Sequence, residues 1–301
     1  MDPSTLSELA RQALGAPPVE VTPLTTGHSS SAVYGLSLAD GRRAVLKLNA
    51  RPEQLAGTAT HLTRLASLGL PVPRLLDADL HPAPNQPAWV LMSWLPGRDL
   101  RHELAAMTGA QMTRLARQLV GFQRRVGGLP EGERFGWVVM GSGGGFASWS
   151  ELIRRDLKSA STILVAAGLP EAAEGLGRLV GAHAAEFRRV RPRPFLDDLT
   201  TKNVLMERGV LSGLVDFDVI CYGDRLYWLA LTRAAVMIDV GEAGRPYLRT
   251  LERALRLTPL QRRRCAAYAL IHAAEILGRS GGPGRDLRLS GLAQRISAMR
   301  A

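Results

Sequence analysis

Strand-forming segments crowd into the first ninety-five residues of this chain and then recur only as one short island around residue 200; nearly everything else carries helical periodicity. That distribution predicts an α+β protein of two lobes, a small mixed one over residues 1–95 and a larger, mostly helical one over residues 96–301. In the first lobe, Thr5 to Leu14 reads as helix and Val19 to Leu24 as strand. Val33 to Leu38 and Arg43 to Leu48 form a hairpin across the Asp40-Gly41 turn. Pro52 to Leu68 is helical, with Leu55, Leu62, Leu65 and Leu68 near one face and Gly69 ending it. Pro71-Val72-Pro73 forces an extended chain, Trp89 to Met92 is a buried-type strand, and Leu95-Pro96-Gly97 closes the lobe.

In the second lobe, helices are expected at Gly109–Val126, Ala147–Ala167, Pro170–Val190, Asp224–Val240, Ala243–Leu255, Pro259–Arg279 and Asp286–Met299. The island among them is a loop from Phe195 to Asn203, a strand from Val204 to Glu207, a turn at Arg208-Gly209 and a strand from Leu211 to Asp216. Trp149, Tyr227 and Trp228 sit at helical spacings that suit a core.

Composition removes several classes of function. With 46% hydrophobic and 22% charged residues in 301, the chain has material for a real core and is not disordered. Two cysteines, Cys221 and Cys265, are too few for a disulfide framework or a cysteine-rich zinc site, which suits a reducing cytoplasm. No apolar run reaches the ~18 residues of a membrane span, and Met1-Asp2-Pro3-Ser4 does not open a signal peptide. A cytoplasmic protein, monomer or homodimer, without membrane or nucleic-acid partner is therefore expected. The net charge of +11 is the one hint to the contrary, but Arg262-Arg263-Arg264 lacks the interleaved aromatics of a nucleic-acid surface. The six histidines form no His-Glu-x-x-His pair, Gly-x-Ser-x-Gly is absent, and neither Rossmann nor P-loop glycine pattern occurs.

Of the 38 basic residues only Lys47, Lys158 and Lys202 are lysines. Where arginine serves as the general surface cation, a surviving lysine marks a place for a compact ammonium. Lys47 lies in the apolar run Ala44-Val45-Leu46-Lys47-Leu48, which suits a phosphate contact, while Lys202 reads equally as a solvated loop residue. The small-residue loop around Gly27, Ser29 and Ser30, between two strands and ahead of Lys47, would let backbone N–H groups approach phosphates.

The acids are fewer but clustered, in Leu196-Asp197-Asp198-Leu199-Thr200-Thr201-Lys202-Asn203 and Val215-Asp216-Phe217-Asp218. Carboxylates this close call for a cation, and Asp and Asn oxygens suit a hard one such as Mg²⁺. An Asp five residues before an Asn, with Asp-Phe across a hairpin, is the arrangement phosphoryl transfer requires. Asp197 and Asp218 are open between metal or substrate contacts and plain turn caps.

At these residues the sequence resembles the aminoglycoside phosphotransferase family, the small-molecule branch of the protein-kinase-like fold. The pattern His-Gly-Asp-Leu-x-x-x-x-Asn falls on Leu196 to Asn203, Ile-Asp-Phe/Trp on Val215-Asp216-Phe217, and Gly-Asp on Gly223-Asp224. Val45 to Leu48 resembles the lysine strand, and Leu91 to Gly97, with Ser93 and Trp94, the interlobe hinge. The resemblance implies a two-lobed kinase-like fold and an ATP-dependent kinase of a small-molecule hydroxyl, with GTP the other candidate nucleotide. It implies Asp198 as base, Asn203 and Asp216 as Mg²⁺ ligands, and Lys47, Gly27, Ser29, Ser30, Ser93 and Trp94 on the nucleotide. The chain departs from the pattern where His and Gly become Leu196 and Asp197, which keeps a pseudokinase or nucleotide-binding regulator as the alternative. It departs again at Thr58, where the helix after Lys47 is expected to carry a glutamate. From Gly241 to Ala301 there are 12 arginines against four acids, which points to a neutral, weakly charged or anionic acceptor.

Overall fold

The computed structural model describes residues 3–24, 31–83, 86–141, 143–280 and 284–299. The chain divides into two compact units. The first is Met1–Gly97 joined by two later segments, Val139–Gly141 and Ser212–Val219; the second is Arg98–Val138, Ser142–Leu211 and Ile220–Ala301.

In the first unit, α1 (Pro3–Leu14) precedes β1 (Pro18–Pro23), β2 (Ala32–Leu38), β3 (Arg43–Asn49), α2 (Pro52–Ser67), β4 (Leu75–Asp79) and β5 (Ala88–Ser93). The five strands make one antiparallel sheet in the order β1-β2-β3-β5-β4. Alternation along β3 decides what the sheet buries. Ala44, Leu46 and Leu48 join Leu36, Trp89, Leu91 and Ala10 in one apolar cluster. The intervening Lys47 and Asn49 point to the other face and are buried there. Asn49 uses that position to start α2. Its Oδ1 accepts from Arg51 N–H at 2.8 Å, its Nδ2 donates to Gln54 Oε1 at 2.7 Å, and Pro52 takes the first helical position. β4 is not expected from sequence, because Leu75–Asp79 is short, carries two aspartates and follows a proline-stiffened stretch.

In the second unit come β6 (Arg98–Asp99), α3 (Leu100–Glu103), α4 (Gly109–Val126), β7 (Gly136–Val138), α5 (Trp149–Ala166), α6 (Pro170–Gly181) and α7 (Ala184–Phe187). They are followed by β8 (Pro194–Phe195), β9 (Val204–Glu207), β10 (Val210–Leu214), β11 (Ile220–Tyr222), α8 (Leu226–Asp239), α9 (Arg245–Leu255), α10 (Pro259–Arg279) and α11 (Arg285–Ala298). β10 begins in this unit and ends in the first. The single helix expected over Pro170–Val190 is two, α6 and the one-turn α7; glycines at 175, 177 and 181 lower its helical propensity. β7, β11 and β8 form a small antiparallel sheet of two- and three-residue strands, too short to carry a period.

The helical core is aromatic. Trp149, Tyr227, Trp228 and Tyr268 are all fully buried. Trp149 meets Tyr227 edge-on at 5.3 Å and donates its Nε1–H to Tyr268 Oη at 2.8 Å. Tyr268 in turn donates to Asp224, which accepts from the Leu226 N–H at 3.0 Å and pairs with Arg264 at 3.0 Å. Among the described residues, no helix is long and apolar enough to cross a membrane.

Candidate active site

The first unit gathers its polar residues around Lys47. Burial alone would lower the pKa of this ammonium, but Asp216 and Asp218 more than offset that and hold it above its ordinary value. Lys47 Nζ donates to Asp218 Oδ1 at 2.6 Å, Asp218 Oδ2 at 2.7 Å and Asp216 Oδ1 at 3.1 Å. The carboxylate partner of Lys47 thus comes from the segment after β10 and not from α2. Thr58, at the position where a glutamate is expected, donates its hydroxyl to Asp218 Oδ1 at 2.5 Å.

α2 holds this segment through its main chain as well. His61, fully buried, uses both ring nitrogens, one at 2.8 Å from the Phe217 carbonyl and the other accepting from Met140 N–H at 2.9 Å. That pairing makes Nδ1 the donor and the imidazole neutral, in line with burial lowering its pKa. Gly57 allows the close approach: a Cβ there would lie 1.9 Å from the Asp218 carbonyl oxygen. Asp216 itself adopts φ +69°, a left-handed conformation unusual for a non-glycine residue and frequent at functional sites.

The second unit builds the loop from Phe195 to Asn203. Its residues are buried except for Asp198 and Lys202. Leu196, in place of a histidine, is an apolar anchor, and Gln123 of α4 clamps its main chain from both sides. Gln123 Nε2 donates to the Leu196 carbonyl at 2.6 Å, and Gln123 Oε1 accepts from Leu196 N–H at 3.0 Å. Farther along, Thr201 donates to Asp239 Oδ2 at 2.5 Å and Thr232 to the Leu199 carbonyl at 3.3 Å. Thr200 donates to Asp198 Oδ1 at 2.8 Å. Asn203, itself buried, turns its Nδ2 back onto the Asp198 carbonyl at 3.0 Å.

Gln123→Ala would strand the buried N–H and carbonyl of Leu196. It is expected to cost about 3 kcal/mol of unfolding free energy, read by urea denaturation.

Asp197 is not turned outward toward metal or substrate. It is buried and accepts a short hydrogen bond from Trp137 Nε1, and its pKa is pushed up to about 7, by burial first and by the neighbouring Asp198 second. Trp137 is held in turn by the Arg155 guanidinium over its ring at 4.9 Å. Arg155 also bonds Asp156, a buried carboxylate that accepts from Tyr227. Burial raises the Asp156 pKa.

Ser93 and Trp94, expected on the nucleotide, have side-chain partners within the first unit. The Ser93 hydroxyl accepts from Arg74 N–H at 2.9 Å, and Trp94 lies under the Arg43 guanidinium, 3.6 Å from its ring centre. Gly27, Ser29 and Ser30 lie outside the described residues. Three residues that matter to the geometry are not singled out by the sequence: His61, Gln123 and Trp137. Gln123 left a trace, a polar side chain four residues after Leu119 and three before Val126 on the apolar face of α4.

The donor chemistry suits Mg²⁺. Among the described residues no group of three or more His, Cys, Asp or Glu gathers into a metal cluster. The offered atoms are instead a few hard oxygens, as Mg²⁺ prefers when phosphates and water complete its shell. In the first unit the half-exposed carboxylate of Asp216, whose Oδ1 meets Lys47, is such an oxygen, and in the second unit Asn203 Oδ1 is another.

Residues 20–268 match the phosphotransferase enzyme family. No curated protein matches the chain in sequence. Solved structures match it over nearly its full length. Aminoglycoside phosphotransferase APH(4)-Ia is 16% identical with a TM-score of 0.69, over 99% of this chain and 98% of that one. Aminoglycoside phosphotransferase APH(2'')-Ib, solved with ADP bound, is 14% identical with a TM-score of 0.68, over 98% and 97%. A putative fructosamine-3-kinase from Thermobifida fusca YX-ER1 is 18% identical with a TM-score of 0.64, over 98% and 99%. The fold is the two-lobed, protein-kinase-like one of these structures.

Proposed function

The chain belongs to the phosphotransferase enzyme family, and from that premise we propose how it moves the terminal phosphoryl group of ATP onto a hydroxyl of a small molecule. Asp198 accepts the proton of the attacking hydroxyl. The observation that carries this role is that Asp198 is the exposed carboxylate of a loop buried apart from it and Lys202, with Thr200 bonding that carboxylate. Lys47 holds phosphate oxygens of the nucleotide. Asn203 Oδ1 and Asp216 are the ligands for Mg²⁺, which when bound would neutralise charge on the phosphates. Catalysis then rests on positioning and charge neutralisation more than on covalent chemistry.

Ser93 and Trp94 contribute to nucleotide binding through the main chain, since their side chains are occupied within the sheet. Gly27, Ser29 and Ser30 are assigned to the phosphates on sequence grounds.

The acceptor is neutral, weakly charged or anionic. Support comes from the excess of arginine over acid after Gly241 and from Asp197, which holds its proton up to about pH 7 and so reduces the negative charge beside the base. Polycations are better served by acidic walls.

The test is a thermal-shift screen with ATP, GTP and Mg²⁺, followed by acceptor-dependent ADP release over a panel of hydroxylated metabolites and antibiotics. Acceptor-dependent turnover is expected with ATP and a non-cationic acceptor. Nucleotide binding with no phosphoryl transfer to any acceptor or to water would make the chain a pseudokinase. Efficient turnover of kanamycin-like polycations would refute the acceptor class alone.

A further inference from the structure

Lys47 has more oxygen around it than it has protons to spare. An ammonium donates three hydrogen bonds, and all three are engaged, two by Asp218 and one by Asp216. A nucleotide phosphate can therefore reach Nζ only if one carboxylate oxygen is given up.

The two carboxylates are not held alike. Asp216 makes the longest of the three contacts, 3.1 Å, and its side chain is 54% exposed against 33% for Asp218. Asp218 is fixed from α2 at several points: Thr58 donates to its carboxylate, His61 bonds the carbonyl before it, and Gly57 lets the helix backbone close on its own carbonyl.

We infer that Asp218, positioned by Thr58, is the standing anchor of Lys47, while Asp216 is the partner it exchanges for phosphate. This inference rests on the reading of Lys47 as the phosphate lysine. On binding, Nζ keeps its two bonds to Asp218 and transfers the third from Asp216 Oδ1 to a phosphate oxygen. The Asp216 carboxylate is thereby released to the metal. Asp218 is a positioning residue: it acts through Lys47 and does not touch the substrate. The work that a helix-borne glutamate at position 58 would do is divided here between a hydroxyl on the helix and a carboxylate two residues beyond the metal ligand.

The sign of one measurement separates this role from a simpler one. If Asp218 contributed only negative charge near the phosphates, Asp218→Asn would tighten binding of anionic, metal-free ATP. As anchor, its loss leaves Lys47 to close on Asp216 and weakens that binding, by about tenfold, the worth of a charge-assisted hydrogen bond. Calorimetric titration of the full chain with metal-free ATP reads the difference. Thr58→Val, which keeps the carboxylate, is expected to weaken binding about threefold. The double variant Thr58→Glu with Asp218→Ala returns a carboxylate from the helix and is expected to recover affinity to within about threefold of the parent.

Unchanged or tighter binding in Asp218→Asn, or a double variant no better than Asp218→Ala alone, overturns the inference. Should Asp218→Asn fail to fold in a thermal melt, Thr58→Val decides in its place, and parental affinity there counts against the anchor. Lys47→Ala separates the two levels. If it binds ATP as the parent does, the phosphate reading of Lys47 fails; if it loses ATP while Asp218→Asn does not, only the anchor fails.

Discussion

Asp198→Asn is expected to lower kcat about a thousandfold while leaving the affinity for ATP within about twofold of the parent. The substitution keeps the size of the side chain and removes its capacity to take a proton. The loop keeps its ties in the variant: Gln123 clamps Leu196, Thr201 bonds Asp239, Asn203 bonds the Asp198 main chain, and an amide oxygen at position 198 can still accept from Thr200. Steady-state kinetics with the acceptor found in the panel, beside ATP titration, checks both halves. A fall in kcat below about tenfold would mean that another group takes the proton. A matching loss of ATP affinity would mean that Asp198 shapes the nucleotide site.

Asp197→Asn is expected to stabilise the protein at pH 8 by about 3 kcal/mol and to do almost nothing at pH 4. The native state holds the Asp197 proton up to about pH 7, whereas an unfolded aspartate loses it near pH 4. Between those values the folded chain binds more protons than the unfolded one. Stability contributed by this group is therefore complete below about pH 4 and is lost as pH rises through about 7. An asparagine pays no such loss, and its amide oxygen can still accept from Trp137. Urea denaturation at half-unit steps from pH 4 to pH 8 should show a falling contribution in the parent and a flat one in the variant. Parallel curves would show that Asp197 titrates as an ordinary aspartate.

Much of this was readable from residues alone. The five-residue offset from Asp198 to Asn203 and the hairpin ahead of Asp216 carry the family resemblance in the sequence itself. The ends of α4 and α10 were legible because each opens with a threonine and a glutamine three positions into the helix, a reciprocal cap that local sequence fixes. What stayed hidden depends on distance along the chain. Asp218 reaches Lys47 across 171 positions and Trp137 reaches Asp197 across 60, and no periodicity links such pairs. The strands β7, β8 and β11 are equally silent, since two or three residues contain no pattern until their partners arrive. Thr58 could be seen as a departure, but the carboxylate that compensates for it lies on another element.

The composition of the first unit bears on the order in which the chain can be completed. Its sheet is encoded within the first 93 residues, yet Ser212–Val219 belongs to the same unit and supplies both counter-charges of Lys47. A chain made from its N-terminus therefore presents that ammonium long before anything exists to neutralise it. Burying it unpaired is costly, so β3 keeps its polar face wet until residue 218 has been synthesised. The unit that comes first in sequence thus cannot be finished before Val219 has been made. The ribosome must add 171 residues beyond Lys47 before that ammonium can take its place.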